Sequence, residues 1–239
     1  MNKLKTNHSR MLTKSIHHSG FTLIELMISI SILSLLLFTG SYTYSLMSER
    51  WNKELGQFAK SAQNGKHLLV LQRMLEGVQT FVVVDEEQKP SFFFIGDKNS
   101  LLAVSRSGLF SDDYPEIFRL TTIEKENGKV DLFYQSLSTQ NFLLTGTNQN
   151  IEFTKQLILF SDLDRVSFNY FGWSSFIDKN LESDEKKHKQ WFERFSGIDN
   201  QIMPEVFNLT LVNSGQELSF SIPLDTNSER WLSPYMGDN

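Results

Sequence analysis

Glu25 is the residue most in need of a chemical explanation. It stands near the start of SGFTLIELMISISILSLLLFTGSYTYSL, residues 19–46, a long apolar run that holds no other acid. An ionisable side chain within such a run costs a few kcal/mol even on mild insertion scales, which makes it a functional candidate by default. Elsewhere the chemical inventory is thin. Of five histidines, His8, His17 and His18 fall in the first 20 residues, leaving His67 and His188 with no second ligand at metal spacing. The acid clusters Asp85–Glu86–Glu87 and Asp112–Asp113 with Glu116 have oxygen ligands that suit calcium, but not the EF-hand spacing. Solvated turns are the preferred reading for both. There is no G-x-S-x-G, P-loop or G-x-G-x-x-G. Without cysteine, disulfides, thiol catalysis and cysteine-based zinc sites are excluded. The expectation is a protein that is not an enzyme, with no cofactor and no metal.

The elements around Glu25 set its context. Residues 1–20 form a leader with Lys3, Lys5, Arg10 and Lys14 and no acid, which holds that end in the cytoplasm. The remainder is therefore more acidic than the formal net charge of −5, a poor basis for nucleic-acid binding. Residues 21–47 are long enough to span a bilayer. Thr22, Ser29, Ser31 and Ser34 within them can bond to the helix's own carbonyls. A secretory signal peptide is the plain alternative, but the run exceeds its usual apolar region and no small-x-small site follows promptly.

Beyond Ser48 the composition turns polar while the helical period persists. One row holds Trp51, Leu55, Phe58, Ala62, Gly65 and Leu69, and a second holds Leu68, Leu71, Leu75 and Val78. This pattern predicts one helix from about Phe21 to about Gly77, about 85 Å long. Its first half is apolar all round. Its amphipathic second half, residues 48–78, faces the core of a domain. Tyr42, Tyr44 and Trp51 fall where the helix leaves the apolar zone and read as a membrane-interface belt.

After Gly77 the period becomes that of strands. The runs 80–84, 91–96, 101–106, 117–126, 129–136, 155–162, 165–172, 203–214 and 216–224 predict an antiparallel sheet domain over 79–225. Abundant phenylalanine suits its core; there are 20 copies, most beyond residue 80. The charged stretch 178–194 reads as a solvated loop, with a short amphipathic helix as the alternative. The tail 226–239 reads as frayed. The expected fold class is α+β, a long N-terminal helix packed on an antiparallel β domain.

Gly20 followed by Phe21, Thr22, Leu23, Ile24, Glu25 and Leu26, behind a basic leader and ahead of a two-part helix, resembles the signal of type IV prepilins and type II secretion pseudopilins. The resemblance implies a pilin-like fold and cleavage between Gly20 and Phe21 by a prepilin peptidase. It also implies N-methylation of Phe21 and an assembly role for Glu25, whose carboxylate would meet the amino terminus of a neighbouring subunit. Phe94–Ile95–Gly96, Leu102–Ala103–Val104–Ser105–Arg106–Ser107–Gly108, LDRVSFNYFG (163–172) and MPEVFNLTL (203–211) are similar to J-type minor pseudopilins. The implied partners are the I- and K-type minor subunits, the major subunit, an inner-membrane assembly platform and membrane lipid. The implied location is a single-pass place in a bacterial inner membrane with the C-terminal domain in the periplasm, then a filament. A minor pilin of a type IV pilus, including mannose-sensitive haemagglutinin-type systems, fits the same residues. A single-span anchored ligand-binding or sensor module is the alternative of another class.

Overall fold

The computed structural model describes residues 20–110, 113–181 and 188–235. Most of the leader, Asp112 and the centre of the charged stretch lie outside the described residues. The first helix, α1 (Leu23–Glu76), is shared by two compact units, divided after Ala59. It is the one helix among the described residues long and apolar enough to cross a membrane.

In the N-terminal unit, Leu23, Ile24, Met27, Leu33, Leu36 and Phe38 are all exposed, so the helix is apolar on every side. A helix of that kind needs lipid or other helices around it. Several of its hydroxyls bond back to the helix: Ser29 Oγ donates to Glu25 O at 2.7 Å and Ser31 Oγ to Met27 O at 2.8 Å.

The second unit begins with the last turns of α1. Leu71, Met74 and Leu75 are fully buried against the sheets, and Leu68 and Val78 pack beside them. The other predicted row does not reach a core. Trp51, Leu55, Phe58 and Leu69 are exposed, the last two by 73% and 71%. Leu69 lies about 200° round the helix from Leu71, so both rows cannot face one domain.

The strands are β1 (Val82–Val84), β2 (Pro90–Phe92), β3 (Ile95–Asp97), β4 (Ser100–Ser105), β5 (Glu116–Glu124), β6 (Val130–Ser138), β7 (Lys155–Leu163), β8 (Arg165–Gly172), β9 (Gln190–Phe192), β10 (Phe195–Ser196), β11 (Val206–Asn213) and β12 (Gln216–Pro223). They make a six-stranded sheet in the order β10-β3-β4-β5-β6-β7, a four-stranded sheet in the order β12-β11-β8-β9, and the pair β1-β2. All the pairings are antiparallel. The principal core lies where α1 and the two larger sheets face one another, rich in Phe94, Phe118, Tyr134, Phe168, Tyr170, Phe195 and Phe207. A smaller core joins Val83, Phe93, Val104, Ile117 and Leu144.

Turn chemistry explains the hairpins. Gly128 has φ +74° in the 125–129 turn, and Ser214 and Gly215 have φ +52° and +78° between β11 and β12. Successive positive φ values match the twist of paired strands, and glycine supplies them with least strain.

Three expectations need correction. The run 91–96 is two strands, because Phe93 bonds back to Phe81 O and Phe94 O accepts from Gly197 N, moving the chain from one sheet to the next. The stretch 178–194 is not simply a solvated loop. A short helix, α2 (Phe176–Asn180), takes in its first residues, and residues near its end form β9 on the four-stranded sheet; β10, on the six-stranded one, follows. The tail is ordered to Tyr235 by two 3-10 turns, Ser228–Trp231 and Ser233–Tyr235, with Leu232 buried.

Candidate functional site: the start of the first helix

Gly20 and Phe21 precede the first helical residue, and both are exposed, Phe21 by 82%. A Cβ added at Gly20 would meet nothing within 4 Å, and Gly20 does not hold the left-handed backbone that favours glycine. The fold therefore does not require glycine there.

Thr22 and Glu25 form a reciprocal cap. The Thr22 amide donates to Glu25 Oε2 at 2.9 Å and the Thr22 hydroxyl to the same oxygen at 3.0 Å. The Glu25 amide donates back to Thr22 Oγ1 at 3.3 Å. Helix starts leave four amides unpaired, and a Thr-x-x-Glu box satisfies two of them while placing negative charge at the positive end of the helix dipole. Its signal in the sequence is the Thr-x-x-Glu order of residues 22–25 ahead of an apolar run. Glu25 is thus not an acid without a partner: Oε2 is engaged, and no hydrogen bond to Oε1 is seen among the described residues.

Further along, Tyr44 and Trp51 share one shallow groove with Met47, Ser48 and Asn52. Tyr42, Tyr44 and Trp51 are all exposed. Seven residues are nearly two turns, which brings Tyr44 and Trp51 together, whereas Tyr42 stands about 200° away from Tyr44.

The remaining candidates disperse. His67 Nδ1 lies 2.8 Å from Leu159 O with its ring edge-on to Phe160, and His188 is exposed elsewhere. Asp85 closes its own turn by accepting from the Glu87 and Lys89 amides. Glu116 has left its cluster for the interior, where it is 2% exposed and accepts from Tyr134 Oη at 2.9 Å. Burial and the nearby Glu116 charge push the Tyr134 phenol up, which keeps it a donor. Among the described residues, no three His, Asp or Glu gather as metal ligands.

Residues 17–40 match the model of the prokaryotic N-terminal methylation motif. The match covers Gly20, Phe21, Thr22 and Glu25 and runs into the apolar helix, and it supports the type IV pilin and pseudopilin class. Such a motif implies processing by a prepilin peptidase and assembly with other pilins, and points to a structural protein instead of an enzyme family. With the apolar helix, it is consistent with membrane anchoring. No curated protein and no solved structure matches the chain.

Proposed function

We propose that this chain is a minor pilin-like subunit, a pseudopilin that helps initiate or cap a periplasmic filament of a type II secretion system. The observation that carries the reading is the methylation motif placed directly on an all-round apolar helix that continues into an antiparallel β domain. The chain is cut between Gly20 and Phe21, Phe21 is methylated, and the apolar part of α1 anchors the subunit in the inner membrane with its domain in the periplasm. The open surroundings of Gly20 support a recognition role for that glycine, since the fold makes no demand on it.

Glu25 is the assembly residue. With Oε2 holding the helix cap, Oε1 is available to the amino terminus of a neighbouring subunit. In a low-dielectric bundle that attraction is strong and an unpaired carboxylate is heavily penalised, which favours one axial register. Tyr42, Tyr44 and Trp51 mark the membrane interface before assembly. The domain bounds that follow are a leader over 1–20, a membrane and filament-core segment over 21–47, its amphipathic continuation over 48–78 and a periplasmic domain over 79–225. The J-type class of minor subunit, with I- and K-type partners, a major subunit and an assembly platform, is the specific place proposed.

Intact mass of the mature protein is the test. A chain beginning at methylated Phe21 is expected, and Gly20→Val should give the longer, unprocessed form and no assembly. A mature start near residue 42 would identify a secreted protein with a signal peptide, and an unprocessed parent chain an anchored sensor. A deletion strain assayed for exported enzymes and for surface fibres separates a secretion filament from a type IV pilus.

A further inference from the structure

A cleft of about 590 Å³ opens in the second unit, between the segment that follows α1 and the C-terminal 3-10 turns. Its volume is within the usual range of ligand sites. The base is apolar, made by Val78, Met203 and Leu224, of which Met203 is 2% exposed. Its walls are held firmly. The Arg106 amide donates to Gly77 O at 2.8 Å, tying the end of β4 to the end of α1. Across the cleft, buried Leu232 and Ser228 and the Lys179–Glu229 ion pair anchor the turn that carries Arg230 and Trp231.

The polar groups of the cleft fall into two sets. Asp225 is fully occupied: its Oδ2 accepts from Arg230 Nη2 and from Trp231 Nε1, both at 3.1 Å, and its Oδ1 from the Asn227 amide at 3.0 Å. Burial pushes the Asp225 carboxyl up, but the Asn227 amide, the Trp231 indole and Arg230 outweigh it and hold the group below the usual carboxylate range. The Arg230 guanidinium lies over the Trp231 ring, 5.3 Å from its centroid. Asp225 therefore fixes the orientation of an indole that remains 49% exposed. The second set has no such partners. Arg106 is exposed, and among the described residues no acid is paired with its guanidinium; Thr80 Oγ1 has no hydrogen bond and is closed off from the cleft.

A guanidinium with no acid beside it and a fixed indole over an apolar base make a recognition site, because guanidinium matches carboxylate geometry. We propose that this cleft binds a carboxylate carried on an apolar stem, with Arg106 as its counter-ion and Trp231 against the stem. The carboxylate comes either from an acidic peptide segment or from a small organic acid, which share this chemistry.

The test uses the full chain in non-ionic detergent, labelled with 5-fluorotryptophan, with the Trp231 fluorine signal assigned by Trp231→Phe. Titration with 3-phenylpropionate should move that signal saturably, and the uncharged 3-phenylpropanamide should not. Arg106→Ala should weaken binding about two- to fivefold, in keeping with the strength of an exposed ion pair. Arg106→Lys, a milder change should the alanine variant misfold, should fall between the two. Equal binding of acid and amide, undiminished binding by Arg106→Ala, or no saturable shift would each overturn the proposal. Tighter binding of acetyl-Phe-Glu-Phe-amide than of 3-phenylpropionate, lost in the Gln counterpart, assigns the natural ligand to a peptide; the reverse order assigns it to a small acid.

Discussion

Glu25 and Glu116 are two carboxylates in apolar surroundings, and each is held by a hydroxyl close by. Glu25 takes hydrogen bonds from Thr22 at the open start of a helix, while Glu116 takes one from Tyr134 inside the domain. The first keeps an oxygen for a partner; the second is enclosed. A Cβ at Gly108 would lie 2.1 Å from the Glu116 carboxyl carbon, so the glycine makes room for the acid. Tyr134→Phe removes the donor and leaves the buried carboxyl short of a hydrogen bond. The expected loss is about 1–3 kcal/mol, read from chemical denaturation of the full chain. Gly96 has a similar role in another place. A Cβ there would lie 2.2 Å from the Tyr170 ring, and Tyr170 is fully buried. Gly96→Ala should therefore cost about 1–3 kcal/mol by overpacking, and a matched Tyr170→Phe change should relieve little, since the ring itself makes the clash. Measured midpoints of both variants decide this.

At the scale of elements, one acid gathers three turns. Asp164, between β7 and β8, pairs with Lys129 before β6 and accepts from the Ser214 amide in the β11–β12 turn. Lys129 first, then the Ser214 amide, hold its carboxyl below the ordinary value of 3.8. A depressed folded pKa contributes stability above the unfolded value and loses it as the pH falls through the folded one. The parent should thus lose stability on acidification from about pH 5 to about pH 2, and Asp164→Asn should show a shallower fall over that window, measured as the urea midpoint against pH.

How far each element was legible depended on which signal dominated it. The helix was readable almost to its ends, because the helical period carries on through the polar change at Ser48 and no proline precedes Pro90. The hairpins at 125–129 and 213–216 were marked by their glycines. The end of the charged stretch 178–194 and the residues just after it were not readable, since Glu193 and Arg194 disguised the aromatic side chains that build β9 and β10. There Trp191 lies against Phe171 and Phe195 against Phe94, with ring centroids 5.2 and 6.4 Å apart. Sequence spacing gives local period but not which distant sheet an aromatic residue joins. At the candidate site the motif residues and the Thr-x-x-Glu order were evident in the sequence, whereas which Glu25 oxygen the cap occupies appears only when the turn is built.

On the scale of the whole molecule, the apolar residues of α1 divide by destination. Leu71, Met74 and Leu75 belong to the domain core, and Leu55 and Phe58 remain exposed. Leu71→Ala should destabilise by about 2–5 kcal/mol, as large-to-small core changes do. Phe58→Gln should stay within about 0.5 kcal/mol, as surface changes usually do. Thermal unfolding of both variants compares them directly. Equal losses would return Phe58 to the core, where its period in the sequence first put it.

The junction where α1 ends also has a mechanical meaning. Ser105 Oγ donates to Met74 O at 2.7 Å, and the Arg106 amide donates to Gly77 O at 2.8 Å. Any tension drawn along the helix enters the domain at this point and is passed to β4, a central strand of the six-stranded sheet. Buried Leu71, Met74 and Leu75 share the load beside these bonds. A subunit pulled out of a bilayer by its helix would carry the strain on this clamp, without a disulfide to relieve it.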